Sequence, residues 1–225
     1  YRVWLAPRLG KLALRNIRPR DLEALRQEMR EAGKAPRTIQ HVFATFRAVW
    51  VHGKKWGLLE GEPPTVGVEL GRIDNARHRF LSPAQLQALL AEVERRDANA
   101  WEFVLAAAHT GARLSELAAL TWGCVDMGAK TLTLVHTKTG KPRAFPMTPQ
   151  LFEMLDKKQH GEPGDLVFIN SEGGRWKLMP TCFREALAAL GFNDGREDRR
   201  EKIVFHSLRH TAASLMLAAG VDART

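Results

Sequence analysis

The chain has 225 residues, of which 44% are hydrophobic and 26% are charged, and its formal net charge is +9. This composition is ordinary for a globular protein, and no apolar run is long enough to cross a membrane, which excludes a membrane-spanning helix. Two cysteines are too few for a disulfide framework and too far apart for a metal knuckle, whereas the positive charge indicates a polyanionic partner.

The positive charge is concentrated in the first third of the chain. Residues 1–72 hold 14 Lys and Arg against 7 Asp and Glu, whereas residues 81–225 hold 18 against 17. Residues 73–80 add two arginines against one aspartate. We therefore expect the N-terminal part to attract nucleic acid through massed charge, and the remainder to act through individually placed cations.

The first 72 residues predict a helical domain. One helix should begin at Pro19, with acidic residues in its first turn, and stop at Gly33. A second should begin near Pro36, and its apolar side chains recur at helical spacing, namely Ile39, Val42, Phe43, Phe46, Val49 and Trp50. The basic residues of this helix are left for the solvent face, where a DNA backbone could lie, and they are Arg37, Arg47, Lys54 and Lys55.

A polar, basic segment of residues 73–80 follows, and we interpret it as an interdomain linker. Its Arg77 and Arg79 could contact phosphates as the linker crosses the DNA, although simple solubility also accounts for them. The predicted organisation is therefore a helical DNA-binding domain of residues 1–72, the linker, and a second domain of residues 81–225.

The second domain predicts helices with a short antiparallel sheet between them. Ser82, Pro83 and Gln85 have the pattern of a capped helix start. Further helices are expected over 99–110, from Arg113, over 148–158, over 180–190 and over 205–219. Strands are expected over 131–136, 142–147 and 166–169. The predicted fold class is mainly α with a small antiparallel sheet, in which a helical domain precedes a mixed α+β domain.

Two segments of this domain carry basic residues in positions that could reach a phosphate. Arg113 lies at a predicted helix start just after Gly111, where a guanidinium can make two parallel hydrogen bonds to phosphate, and Glu116 can hold it in register. A surface ion pair is the commoner explanation of such a pair taken alone. Lys138 enters a predicted tight turn, from which a lysine could donate a proton, although most hairpin lysines only solubilise.

The third basic segment is His206-Ser-Leu-Arg209-His210, whose three basic side chains fall on one side of a helix. We expect His206 to contact phosphate and His210 to have a structural, hydrogen-bonding role. A metal site is the alternative interpretation of this segment. We do not favour it, because no carboxylate or thiolate that could serve as a further metal ligand lies nearby in the sequence.

The sequence resembles the tyrosine recombinase (phage integrase) family in three motifs, which are Ala-Arg113-Leu-Ser-Glu116-Leu, Thr137-Lys138-Thr139-Gly-Lys-Pro-Arg and His206-Ser-Leu-Arg209-His210. Residues 5–59 also resemble the family's helical core-binding domain. The resemblance implies a site-specific recombinase that cleaves and rejoins duplex DNA through a 3′-phosphotyrosyl intermediate, without metal or cofactor.

The resemblance also implies a role for each matching residue. Arg113 and Arg209 would bind the scissile phosphate, with Glu116 supporting Arg113. His206 would assist proton transfer, and Lys138 would protonate the leaving 5′ oxygen. The hairpin residues Lys141 and Arg143 complete the predicted set of DNA contacts.

One departure from the family pattern concerns the nucleophile, because the sequence has no tyrosine after Tyr1. The first residue is also not a methionine. We therefore expect the chain to be a fragment of a recombinase that binds DNA without forming a covalent adduct on a nicked substrate.

The partners implied by the resemblance are a duplex recombination site and other recombinase protomers, in a tetramer on DNA. The implied location is the cytoplasm of a bacterial or phage-infected cell, associated with the nucleoid. The alternatives are a DNA-binding module without cleavage activity, a type IB topoisomerase with the same phosphotyrosine chemistry, and a metal-dependent nuclease.

The excess charge of residues 1–72 generates the first prediction. Reversing charge with Lys54→Glu and Lys55→Glu should weaken binding to every duplex sequence alike, because these lysines would contact phosphates. The slope of log affinity against log salt, followed by fluorescence anisotropy, should become shallower by roughly 2. An affinity that does not change with salt would contradict this prediction.

Overall fold

A computed structural model of the chain describes residues 2–71, 79–135 and 141–218. The chain divides into two units, Tyr1–Asn75 and Ala76–Thr225, each with its own hydrophobic core. The predicted linker 73–80 lies almost wholly outside the described residues, so its boundaries stay predictions. Among the helices that are described, none is both long enough and apolar enough to cross a membrane.

The first unit is built from helices α1 (Leu5–Leu9), α2 (Pro19–Glu31) and α3 (Pro36–Lys55). Two single 3-10 turns accompany them, Leu14–Asn16 and Pro64–Gly67. Helix α2 begins where the Asp21 carboxylate accepts the backbone N–H of Arg18 at 2.8 Å. This bond satisfies one of the donors that a helix start leaves unpaired. Both long predicted helices of this unit are therefore confirmed.

The core of the first unit joins one face of α2 to one face of α3. Leu22, Leu25 and Met29 from α2 are buried with Ile39, Phe43, Phe46 and Trp50 from α3. The α3 residues are spaced by four, three and four, which keeps them within a narrow helical stripe. Val49 lies about 90° from the centre of that stripe and is exposed, so it takes no part in this core although its spacing is helical.

The second unit contains the remaining described helices and a three-stranded antiparallel sheet in the order β1-β2-β3. The helices are α4 (Pro83–Glu94), α5 (Ala98–Thr110), α6 (Leu114–Leu117), α7 (Pro149–Lys157), α8 (Thr181–Ala189) and α9 (Ser207–Ala218). The strands are β1 (Val125–Asp126), β2 (Thr131–Leu134) and β3 (Arg143–Pro146). The predicted fold class, mainly α with a small antiparallel sheet, is confirmed.

Helix α5 is the centre of this unit, and it packs against α4, α6, α7, α8 and α9. Its Phe103 stacks on Trp176 and Phe205, with ring centroids 5.4 and 5.7 Å apart, and meets Phe168 edge to face. Because Phe205 immediately precedes His206, this aromatic cluster fixes the chain just before α9 begins.

The predicted strand over 166–169 is wrong. Its ends form only isolated bridges, Thr121 with Leu166 and Ile169 with Arg175. The segment is apolar, and its Val167 and Phe168 side chains are buried in the core. A short buried run has the same hydrophobic pattern whether or not it pairs along its length, so periodicity could not separate the two.

One contact brings the end of α5 against α9, and a second ties α9 to the residue before the start of α4. Gly111 ends α5 in the left-handed conformation, with φ +60°, and a Cβ at this position would lie 3.3 Å from the Cβ of Ala212. The buried hydroxyl of Thr211 on α9 accepts the backbone N–H of Leu81 at 3.0 Å. The chain therefore reverses at Gly111 directly beside the helix that carries Arg209.

Because of this close approach, Gly111→Ala should destabilise the protein more than the same substitution at another left-handed glycine that has free space around it. The matched control is Gly173→Ala, because Gly173 has φ +77° and a Cβ added there would meet nothing within 4 Å. The left-handed conformation alone costs about 1–2 kcal/mol with a side chain. Urea unfolding should give a larger loss for Gly111→Ala, and equal losses would contradict the packing of Gly111 on α9.

Candidate functional site

The site is organised around Glu116, whose side chain is only 1% exposed. Its Oε2 accepts the backbone N–H of Arg113 at 2.9 Å, and its Oε1 accepts Nη1 of the same arginine at 2.7 Å. The first of these bonds caps helix α6, and the second fixes the direction of the guanidinium. Because both bonds span three residues, they form within a single helical turn.

Arg143, the first residue of β3, makes a second ion pair with the same carboxylate. Its Nη2 donates to Oε2 of Glu116 at 3.0 Å. Arg143 is a predicted DNA contact, and the structure pairs it with Glu116. One buried carboxylate therefore holds two guanidiniums that come from different parts of the unit.

Electrostatics favour an ionised Glu116. Burial opposes the charged form, but the hydrogen bonds from the backbone and side chain of Arg113, and the positive charges of Arg143 and Arg113, outweigh it. The pKa of Glu116 is therefore lowered below its ordinary value. At neutral pH the carboxylate remains charged and keeps both arginines in place.

Arg209 on α9 completes the cluster. Its Nη1 donates to the backbone carbonyl of Gly111 at 2.6 Å, which ties α9 to the end of α5. Burial lowers the pKa of the Arg209 guanidinium, and the positive charges of Arg113 and Arg143 lower it further, while Glu116 opposes them. Two guanidiniums thus pair with one carboxylate and a third lies close enough to feel their charges, which leaves an excess of positive charge suited to an anion.

The two histidines of the third motif lie beside Arg209. Both are exposed, with His206 immediately before α9 and His210 one turn into it. Their rings meet edge to face with centroids 5.1 Å apart. The sequence prediction that His206, Arg209 and His210 gather on one side of this segment agrees with these positions, whereas their roles stay predictions.

Several predicted site residues lie elsewhere. Lys138 and Arg77 fall outside the described residues, and Lys141 is exposed just before β3. The Arg79 guanidinium donates to the backbone carbonyls of Phe192 and Glu201, so it braces its own unit. In the first unit, the predicted DNA contacts on α3 are all exposed, and they are Arg37, Arg47, Lys54 and Lys55.

Sequence reasoning missed two groups that build the site. One is the backbone carbonyl of Gly111, which no side-chain pattern can reveal. The other is the pairing of Arg143 with Glu116, for which the alternation of Arg143 with Phe145 along β3 was the available signal.

The arrangement can bind a tetrahedral anion and stabilise negative charge on its oxygens. Planar guanidiniums donate two parallel hydrogen bonds, and their charge does not depend on a metal. Across residues 2–71, 79–135 and 141–218, no three His, Cys, Asp or Glu side chains are grouped so that they could hold a metal ion.

Comparison with known proteins decides which family uses this site. The model of the phage integrase family matches residues 79–225, which include Arg113, Glu116, Arg143 and Arg209. The chain belongs to the phage integrase family. Within this family it is similar to the integrase of Escherichia phage 186, with 29% identity over 187 residues that cover 83% of this chain and 50% of that protein.

Other members of the phage integrase family are also similar. Tyrosine recombinase XerC of Bacillus subtilis (strain 168) is 29% identical over 214 residues, which cover 88% of this chain and 67% of that protein. The chain thus spans half of the phage 186 integrase and about two thirds of this recombinase.

Solved structures share the fold at lower identity. The Tn1549 transposon integrase in complex with circular intermediate DNA has a TM-score of 0.74 and 17% identity, over 99% of this chain and 80% of that one. A lambda integrase dimer bound to a COC′ core site has a TM-score of 0.72 and 16% identity, over 97% of this chain and 80% of that one. At 16–17% sequence identity, the similarity to these structures shows a shared fold only.

The lowered pKa of Glu116 predicts how its removal changes stability with pH. A depressed carboxyl pKa stabilises the folded state above the unfolded value of about 4.3, and this stabilisation is lost as pH falls through the folded value. Glu116→Gln should therefore lower the free energy of unfolding by about 2 kcal/mol at pH 7, less than the roughly 3–5 kcal/mol for a fully buried pair, because both guanidiniums are about a third exposed.

The difference between Glu116→Gln and the unchanged protein should shrink as the pH is lowered below about 4. Urea unfolding between pH 3 and pH 7 measures it. Glu153→Gln is the matched control, because Glu153 pairs with Lys157 on an exposed helix face and should have little effect at any pH. A difference that is constant across this pH range would contradict the assignment.

Proposed function

We propose that the chain is the DNA-binding and catalytic part of a site-specific recombinase that cleaves and rejoins duplex DNA through a 3′-phosphotyrosyl intermediate. The observation that carries the proposal is the convergence of Arg113 and Arg209 across Gly111, braced by the buried Glu116, in a member of the phage integrase family. Two guanidiniums that are each fixed by a hydrogen bond and lie within reach of each other's charge suit the negative charge that builds on a phosphate during strand transfer.

Each side chain has a proposed part in the reaction. Arg113 and Arg209 donate to the non-bridging oxygens of the scissile phosphate and stabilise the negative charge of the transition state. His206 assists proton transfer at the phosphate, and Lys138 protonates the leaving 5′ oxygen. A tyrosine attacks phosphorus, and the phosphodiester energy kept in its ester allows rejoining without ATP. No residue of this sequence is assigned as that tyrosine.

The first unit would supply most of the affinity for DNA. Part of its excess charge is exposed on α3, where Arg37, Arg47, Lys54 and Lys55 can contact the backbone of a duplex. Contacts of this kind position a protein without reading sequence, so we expect the specificity for a site to come from other contacts.

The proposed partners are a duplex recombination site and further copies of the recombinase. Lambda integrase, which shares the fold, has been solved as a dimer bound to a core site and as a tetramer bound to a Holliday junction. A cytoplasmic, nucleoid-associated location belongs to the same proposal, since the substrate is the DNA of a bacterial or phage-infected cell.

The strand-joining half of the reaction tests this function without requiring a tyrosine from the protein. The substrate is a duplex, selected for binding from a random library, whose nick carries a tyrosine ester on its 3′ phosphate opposite a free 5′ hydroxyl. In joining, the 5′ oxygen attacks phosphorus, the bond from phosphorus to the phenol oxygen breaks, and tyrosine leaves with the proton. Joined strand and released tyrosine are measured together.

The chain should join this nick, and Arg113→Ala or Arg209→Ala should slow joining by roughly a hundredfold or more, the scale for losing a transition-state donor. Arg113→Lys should not restore the rate, because an ammonium cannot make the two-pronged contact. Arg184→Ala is the matched control, since Arg184 is an exposed arginine on α8. Tight DNA binding without joining would support a binding module instead, and normal joining by Arg209→Ala would defeat the assignment.

A further inference from the structure

Glu116 depends on Arg143 for its place in the unit. The two contacts that Glu116 makes with Arg113 lie within one helical turn, so they would form wherever that turn lay. The contact with Arg143 spans 27 residues and joins α6 to β3. Among the described residues it is the only hydrogen bond that ties the Glu116 carboxylate to a distant part of the chain.

Arg143 is held from its other side by the sheet. It is paired with Leu134 in the antiparallel register of β2 and β3, and its side chain shares a face with Phe145. The guanidinium lies over the Phe145 ring, 5.4 Å from the centroid. A cation in this position gains from the ring's electron density and loses part of its rotational freedom. The direction of Arg143 is therefore fixed before any ligand binds.

The hydrogen-bonding capacity of the carboxylate explains why the Arg143 contact matters. Oε2 accepts from both the Arg113 backbone and Arg143, while Oε1 accepts from the Arg113 side chain. Without Arg143, a buried carboxylate would keep one counter-charge and gain freedom to rotate. Rotation would move the acceptor that directs the Arg113 guanidinium.

We propose that Arg143 is a positioning residue of the phosphate pocket, which acts through Glu116 to hold Arg113 in its phosphate-binding direction. The same contact fixes β3 to the start of α6, and β3 begins five residues after Lys138 in the chain. This role rests on the proposed function of Arg113 and Arg209. It differs from the sequence prediction that Arg143 contacts DNA directly.

A double-mutant cycle between Glu116 and Arg143 separates positioning from direct contact. The probe is sodium sulfate, titrated at constant ionic strength and followed by the amide signals of the second unit in NMR spectra. Arg175→Gln is the matched control, because Arg175 donates to the backbone carbonyl of Ser115 and not to Glu116. Like Arg143→Gln, Arg175→Gln removes one positive charge next to helix α6.

Arg143→Gln should weaken sulfate binding about tenfold in the unchanged protein, within the range for residues coupled by direct contact. In the Glu116→Gln background, Arg143→Gln should weaken it no more than Arg175→Gln does. If both backgrounds lose the same factor, Arg143 binds the anion itself and the inference is overturned.

Arg143→Lys keeps the inference testable if Arg143→Gln does not fold. A single ammonium donor can replace Nη2 on Oε2 of Glu116, so sulfate affinity should stay within about twofold, whereas a two-pronged contact to the anion would not survive. A larger loss in Arg143→Lys would overturn the inference.

Sulfate binding does not require strand joining, so the inference and the proposed function can fail separately. If joining fails while the cycle shows coupling, the recombinase function is rejected and the positioning role stands. If Arg113→Ala leaves sulfate affinity unchanged, there is no anion pocket for Arg143 to serve, and the inference is overturned.

Discussion

The burial of one carboxylate among three guanidiniums is the constraint on which the site depends. A buried charge is tolerated only when it is paired and hydrogen-bonded, so Glu116 requires partners with fixed geometry. It obtains them from Arg113 in its own turn and from Arg143 on β3. With Arg209 nearby, the positive charges outnumber the carboxylate, and a further anion would relieve their mutual repulsion.

The backbone around Gly111 brings the third guanidinium to this pocket. The left-handed glycine ends α5 and reverses the chain towards Arg113, and the carbonyl of the same glycine accepts the hydrogen bond of Arg209. A second bond, from the backbone N–H of Leu81 to the Thr211 hydroxyl, ties α9 to the residue before the start of α4. Rigid elements therefore set the distance between the two arginines, as a preorganised anion site requires.

Much of the secondary structure of the second unit could be predicted from the sequence, because the residues that start and stop its helices lie within one helical turn of each other. The capping box of Ser82 and Gln85 and the glycine stop of α5 each involve residues within one helical turn. The pairing of Arg113 with Glu116 is also local, so spacing alone suggested it. Arg143 and Glu116 are 27 residues apart, and their contact exists only because β3 returns beside α6. The alternation along β3 indicates only that Arg143 and Phe145 share a face, and it does not identify the partner that Arg143 meets. The apolar run 166–169 is ambiguous for a different reason, because a short buried run has the same pattern whether or not it pairs as a strand.

The central claim is that Arg113 and Arg209 together form one anion site. The most direct measurement is a crystal structure of the chain with bound selenate, whose anomalous scattering locates the anion independently of the protein. We expect a selenate ion hydrogen-bonded to both guanidiniums, with Glu116 still paired to Arg113 and Arg143. The claim would be contradicted if selenate bound only to the basic side chains of α3 (Arg37, Arg47, Lys54 and Lys55) and the guanidiniums of Arg113 and Arg209 pointed away from each other.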